Sequence, residues 1–162
     1  MPVSFPMLLY AYMIARAFID ASNLFYGGEK SLGWKIDYQK LLQYLEEKYG
    51  VSNTYYFGGV ELHDFPYDYQ RQDTVPVGAL KEHLSEILNR KAKALSDSET
   101  IEVGQHLQRA RFYCKLAQFG YDLYLKPVKS YEQEDGATRR KANCDVEMTF
   151  HLMKDIDRFD SS

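Results

Sequence analysis

Cysteine, excess positive charge and long apolar runs are what this sequence has little of. Its two cysteines, Cys114 and Cys144, show no metal-binding or redox spacing, so we expect reduced thiols and a cytoplasmic protein. Lysine and arginine number 20 against 23 aspartates and glutamates, which excludes a broadly basic nucleic-acid coat but leaves room for a local basic patch. No apolar run approaches the ~18 residues that a membrane span needs, so no membrane partner is expected.

The first residues of the chain are apolar, but they lack the basic segment of a signal peptide. We expect residues 1–13 to be an N-terminal extension, and Met13 is a candidate for the natural start. Residues 14–162 are expected to form one domain, because a chain of this length can bury a core without disulfides or a structural metal.

Strand-like and helical segments alternate along the chain. Short segments rich in apolar and aromatic residues predict strands at 15–20, 53–60 and 121–128. Apolar residues at helical spacing predict helices at 37–49, 77–95, 99–119 and 144–154. The remaining segments are predicted loops, the longest at 21–34, 61–76 and 130–142. Strands separated by helices, without hairpin signals, indicate an α/β fold with a parallel sheet covered on both faces.

Asp20 is the last residue of the first predicted strand, and Asn23 follows three positions later. Ligands of open parallel sheets gather outside the carboxyl ends of the strands, so an acid here is well placed to bind one. Asn23 is a candidate for orienting Asp20 or for hydrogen bonding to a ligand. A second interpretation is open, in which both side chains only cap the backbone of the turn.

Asp145 falls in the first turn of the last predicted helix, just after a basic run. An acid stabilises the positive end of a helix by about 0.3–1 kcal/mol, so this role alone explains Asp145. The triplet Arg139, Arg140 and Lys141 favours a functional interpretation, since carboxylates bind a divalent cation while arginine and lysine bind phosphates. The alternative is that the triplet belongs to an ordinary solvated loop.

Two further charges flank this segment. Lys126, at the end of the third predicted strand, could extend the basic patch, and solubility of the sheet edge is the alternative. Glu147 follows Asp145 on the same helix and could be an ordinary surface residue. The four histidines show neither ligand spacing nor a triad-like pairing, and no glycine fingerprint follows the first strand, which argues against a nucleotide-binding Rossmann domain.

Five segments in order resemble the LabA-like branch of the NYN family, within the PIN-like nuclease superfamily. FIDASNLFYG at 18–27 resembles the opening strand and acid motif of the family. The other four segments are IDYQKLLQYL at 36–45, TYYFGG at 54–59, GYDLYLKPV at 120–128 and RKANCDVEMTFHLM at 140–153. The order and spacing of the five carry the resemblance more than any single segment does.

The resemblance implies roles for individual residues. Asp20 matches the first metal-binding acid of the family, Asn23 its neighbouring asparagine, and Asp145 the second acid. Glu147 stands where the family usually has an aspartate, and Lys141 matches the preceding lysine. The implied activity is hydrolysis of RNA phosphodiesters by an endonuclease that uses Mg²⁺ or Mn²⁺, with a three-layer, Rossmann-like PIN fold.

The resemblance also implies that the chain stops before the last strands of the family, which contain an SGDxDF-type motif. A domain truncated in this way would expose its first strand, so we expect a homo-oligomer or partner contact through residues 14–19. Reduced or absent catalysis is also expected. The alternative function is therefore a non-catalytic module that binds RNA or protein, with a vestigial acidic site.

Overall fold

A three-stranded parallel sheet lies at the centre of the fold. The structure is a computed structural model that describes residues 14–90, 93–132, 134–136, 138–142 and 144–156, without the side chains of residues 131, 132, 139 and 140. The strands are β1 (Ala15–Asp20), β2 (Val51–Val60), β3 (Asp122–Pro127), β4 (Lys129–Glu132) and β5 (Thr138–Lys141). The helices are α1 (Ala21–Leu24), α2 (Tyr38–Tyr49), α3 (Val77–Arg90), α4 (Asp97–Phe119) and α5 (Cys144–Asp155).

The central sheet has the strand order β1-β2-β3, and both pairings are parallel. Asp20 is level with Phe57 of β2, which is level with Tyr124 of β3. The outer edge of β3 is covered by the segment before α3, because the Val75 amide donates to the Leu125 carbonyl at 2.9 Å. The parallel sheet with helices confirms the predicted α/β, Rossmann-like fold.

Helices pack on both faces of the sheet, as the alternation of strands and helices in the sequence predicted. One face carries the main core, in which Tyr56 of β2 and Leu125 of β3 lie with residues of α3 and α4 such as Leu84. The other face is covered by α5, whose His151 ring lies 5.8 Å from the ring of Phe57. The sheet therefore separates α4 from α5 except at its carboxyl edge, where elements from both faces meet.

The boundaries of α2 are fixed locally. Asp37 caps the first turn by accepting a hydrogen bond from the Lys40 amide at 3.0 Å. Gly50 ends the helix with a φ of 63°, a left-handed conformation that glycine adopts without a steric penalty. These caps agree with the helix predicted at 37–49.

Two predicted loops are wrong in part. Residues 21–31 are helical, with α1 followed by a π-helix at Phe25–Ser31. Gly28 permits this packing, because a Cβ atom there would lie 3.1 Å from the Ile36 side chain.

Within the predicted loop 130–142, β4 and β5 form an antiparallel hairpin. The prediction that the sequence has no hairpin signals is wrong here, because the turn contains the dipeptide Asp135–Gly136.

The predicted helix at 77–95 is also too long, since α3 ends at Arg90 and residues 93–95 form a turn before Ser96. Ser96 and Glu99 then form a capping box, which starts α4 two residues earlier than predicted. The predicted extension at 1–13 and the end of the chain at 157–162 lie outside the described residues. In the described part, no helix is long and apolar enough to cross a membrane.

Candidate nucleic-acid and metal site

A cleft of about 590 Å³ opens at the carboxyl edge of β1 and β2. Four of the predicted site residues line it, namely Asp20, Asn23, Lys141 and Asp145. They come from β1, α1, β5 and α5, which are distant in sequence and meet only because the sheet brings their ends together. We call this cavity the acidic cleft.

Asp20 has a structural role in addition to its place in the acidic cleft. Its Oδ1 atom accepts a hydrogen bond of 2.9 Å from the amide of Asn23 and so caps α1. The capping interpretation and the site interpretation of Asp20 are therefore compatible, because capping uses one of its two carboxylate oxygens. Asn23 contributes its backbone amide to the cap, and its exposed side chain lies at the cleft.

Asp145 is exposed in the first turn of α5, and Cys144 beside it is half-buried. Burial, together with the smaller effects of the negative charges of Asp20, Asp145 and Glu147, raises the pKa of the Cys144 thiol to about 11. Two acids from opposite ends of the chain thus act on the same group. Acids that lie close together in this way are what a cation site requires.

The back of the acidic cleft depends on a close approach at Gly59. A Cβ atom on Gly59 would lie 2.9 Å from the side chains of both Ala142 and Val128. All three residues line the cleft. The absence of a side chain at position 59 lets the segment before α5 lie against the end of β2, which places Asp145 near the end of β1.

Two other predicted site residues pair with each other. Lys126 Nζ lies 3.2 Å from Glu147 Oε2, and both side chains are about four-fifths buried. His151 Nε2 lies 3.4 Å from the other oxygen of Glu147. Neither Lys126 nor Glu147 is among the residues that line the acidic cleft. In this arrangement their charges are committed to each other, and the acids that line the cleft are Asp20, Glu61 and Asp145.

The basic triplet is only partly described. The backbone of Arg139 and Arg140 lies in β5, where they pair with Tyr131 and Ser130, but their side chains lie outside the described residues. Lys141, the third member, is exposed at the acidic cleft.

Sequence reasoning missed the contribution of α4. Gln105, His106 and Arg109 all line the acidic cleft, and Arg109 is exposed. Gln105 and Arg109 are four residues apart, which places them on one face of the helix. The sequence pattern of α4 did not indicate this polar strip, because the neighbouring residues Val103, Leu107 and Ala110 define the apolar face. Sequence spacing cannot show that this polar strip faces Asp20.

Two of the histidines pair with each other, although the sequence showed no triad-like pairing. His63 Nε2 and His106 Nδ1 lie 2.6 Å apart, so one ring donates a hydrogen bond to the other. His63 has a φ of 47° and Asp64 a φ of 64°, which is uncommon for residues other than glycine. His83 Nε2 lies 2.7 Å from the His63 carbonyl oxygen. The bend after β2 is therefore held by two histidines from α3 and α4.

The carboxylates of the acidic cleft are the kind of ligand that a magnesium or manganese ion prefers. Mg²⁺ is commonly held by one or two carboxylates with water in its other positions. Among the described residues, no group of three or more histidine, cysteine, aspartate or glutamate side chains is arranged to hold a metal ion. A cage made entirely of protein ligands is therefore absent from the described residues, and an ion at Asp20 and Asp145 would keep water in its other positions.

Comparisons of the chain with protein-family models, with curated proteins and with solved structures gave no match. The resemblance to the NYN family therefore stays a prediction from the five sequence segments.

Proposed function

We propose that this protein is a ribonuclease of NYN and PIN-like type, which hydrolyses RNA phosphodiesters with the help of Mg²⁺ or Mn²⁺. One observation carries the proposal: Asp20 at the end of β1 and Asp145 at the start of α5 line the same cleft. This is the pair of acids that the sequence resemblance selected, and the edge of a parallel sheet is where ligands of such folds bind.

Asp20 and Asp145 would hold the ion, which when bound would activate water and stabilise the negative charge of the leaving oxygen. The remaining roles belong to the chain. Lys141 and Arg109, exposed at the cleft, bind and orient the phosphates on either side of the scissile bond. The Asn23 side chain donates a hydrogen bond to a phosphate or ribose oxygen. The expected setting is the cytoplasm, since Cys114 and Cys144 are both free thiols.

The test is RNA cleavage by the purified chain with Mg²⁺, with Mn²⁺ and with EDTA. We expect cleavage only with metal, and a loss of roughly a hundredfold or more in Asp20→Asn and in Asp145→Asn, because each removes a charged ligand. Asp20→Asn retains an oxygen that can cap α1, so an intact circular dichroism spectrum separates loss of the ligand from loss of the fold. Cleavage that survives both substitutions would refute the site.

A second candidate is the non-catalytic module that binds RNA. It is favoured by the ion pair that engages Glu147 and by the fact that no three acid, histidine or cysteine side chains of the described residues are arranged to hold a metal ion. In this case the chain binds RNA without turnover, and binding weakens as salt rises. Lys141→Ala and Arg109→Ala would each weaken binding, while Lys115→Ala on a different part of α4 serves as the matched control. Metal-dependent turnover would rule out this candidate.

A further inference from the structure

A second cavity, of about 480 Å³, adjoins the acidic cleft. It shares with that cleft the residues Ser22, Tyr26, Gly59, Gln105 and Arg109. Its other lining residues are Ala21, Phe25, Glu29, Tyr38, Tyr56, Phe112 and Tyr113. Six of the twelve lining residues are therefore aromatic. We call this cavity the aromatic pocket.

We propose that the aromatic pocket binds one nucleobase of a single-stranded RNA whose adjoining phosphate lies in the acidic cleft. This inference deepens the proposed function, on which it rests, by naming the part of the substrate that the protein recognises.

Phe25 and Tyr26 line the entrance of the aromatic pocket, and their side chains are too exposed to be explained as part of the hydrophobic core. Tyr26 is 63% exposed and Phe25 is 39% exposed, and their rings meet edge to face at 5.3 Å. Both belong to the π-helix, an irregular element that is frequently found at functional sites. Exposed aromatic rings beside a phosphate-binding cleft are what proteins use to stack bases of single-stranded nucleic acids.

Polar groups in the pocket suit the edge of a base. Glu29 is half-buried in the lining of the aromatic pocket. Burial raises the pKa of the Tyr38 phenol, and the nearby charge of Glu29 raises it to a smaller extent. A carboxylate only accepts hydrogen bonds, so it selects base edges that present N–H donors. Guanine presents two adjacent donors, its ring N1–H and its exocyclic amino group. A purine of this kind matches Glu29 better than uracil does.

Arg109 connects the two cavities, because it lines both and is exposed. A guanidinium can bind a phosphate with two parallel hydrogen bonds or stack against a base. A nucleotide with its base in the aromatic pocket would therefore place its phosphate between Arg109 and the carboxylates of the acidic cleft. An apolar partner peptide would gain nothing from Arg109 and Glu29, which favours a nucleotide as the occupant.

The experiment measures binding of GMP, UMP and ribose 5-phosphate to the full chain by calorimetry. We expect GMP to bind at least about tenfold more tightly than ribose 5-phosphate, because only GMP has a base to stack. Tyr26→Ala should remove roughly that factor for GMP and leave ribose 5-phosphate unchanged. Glu29→Gln should reduce the preference for GMP over UMP. Tyr44→Ala, which removes an aromatic ring that is 47% exposed on α2, is the matched control.

Equal binding of GMP and ribose 5-phosphate, or GMP binding that is unaffected by Tyr26→Ala, would overturn the inference, and so would the absence of any binding. The two proposals fail separately. If RNA is not cleaved but GMP binding depends on Tyr26, the nuclease proposal fails and the pocket stands. If cleavage is metal-dependent but Tyr26→Ala changes neither GMP affinity nor the KM for RNA, the pocket proposal fails alone.

Discussion

Arg16 and Asp155 form an ion pair between the first strand and the last helix, with Arg16 Nη1 2.5 Å from Asp155 Oδ2. Their side chains are only 13% and 9% exposed. Hydrogen bonding to Asp155 raises the pKa of Arg16 despite the opposing effect of burial. The pair connects α5 to β1. Asp145 lies in the first turn of α5, and Asp20 is the last residue of β1. The pair therefore holds together the two elements that form the acidic cleft.

We predict that Asp155→Asn lowers the free energy of unfolding by about 3 kcal/mol or more, because it leaves the Arg16 charge buried without its partner. Urea unfolding followed by circular dichroism measures this change. The control is Glu86→Gln, which breaks an exposed pair with Arg90 at 4.0 Å and should cost less than about 1 kcal/mol. An equal effect of the two substitutions would show that the Arg16 pair does not hold α5 in place.

Two glycine-to-alanine substitutions should have opposite effects on stability. A Cβ atom at Gly58 of β2 would lie 2.5 Å from the Tyr113 hydroxyl oxygen, so Gly58→Ala should destabilise the fold by about 1–3 kcal/mol. Gly104 of α4 has no atom within 4 Å of its Cβ position, so Gly104→Ala should stabilise it by about 0.5–1 kcal/mol. Thermal or urea unfolding compares the two. Stabilisation by Gly58→Ala would contradict the packing of Tyr113 on β2.

The His63–His106 pair predicts a pH-dependent stability. Burial lowers the pKa of His106, the neighbouring His63 and Arg109 lower it further, and Glu61 and Glu102 partly oppose the shift. In the unfolded chain His106 therefore takes up a proton near pH 6.5, whereas in the folded protein it does so only at a lower pH. Stability should fall as the pH drops from 7 through 6.5 toward the lowered pKa of the folded state.

Urea midpoints at several pH values between about 5 and 7.5 test this sign, because that range brackets the usual histidine pKa. We expect a smaller loss of stability toward acid in His106→Gln than in the unsubstituted chain. Gln108→Ala, on the same helix but without a titratable group, should retain the full loss. A steeper loss in His106→Gln than in the control would show that the pKa of His106 is raised.

The edge of β1 predicts self-association. In the described part of the chain, one edge of β1 pairs with β2, and no strand pairs with the opposite edge of β1. The outer edge of β3, by contrast, is covered by residues 74–75. An open strand edge presents unpaired amides and carbonyls to a second chain. We expect light scattering to show a dimer that dissociates on dilution, and Ile14→Lys at the exposed start of β1 to weaken it. A monomer at all concentrations would contradict the prediction.

The strands of the central sheet, the main helices and the α/β class could be predicted from the sequence, because these depend on local patterns. The caps of α2 are examples, since Asp37 bonds to an amide three residues away and Gly50 adopts its conformation alone. Asp20 and Asp145 were also located correctly on their elements, at the end of β1 and in the first turn of α5. Local turn chemistry was misjudged at Asp135–Gly136, where the hairpin signal was present.

The sequence by itself determined where the three strands of the central sheet and the four main helices lie, and that two acids stand at element ends. Only the tertiary structure decided which side chains meet. It brought Arg109 of α4 to the acidic cleft, paired Lys126 with Glu147, and set His63 against His106. The physical reason is that hydrophobic periodicity and helix caps involve residues only a few positions apart in the sequence. Contacts between residues far apart in sequence depend on how whole elements pack, and packing is set by the shape of the entire core.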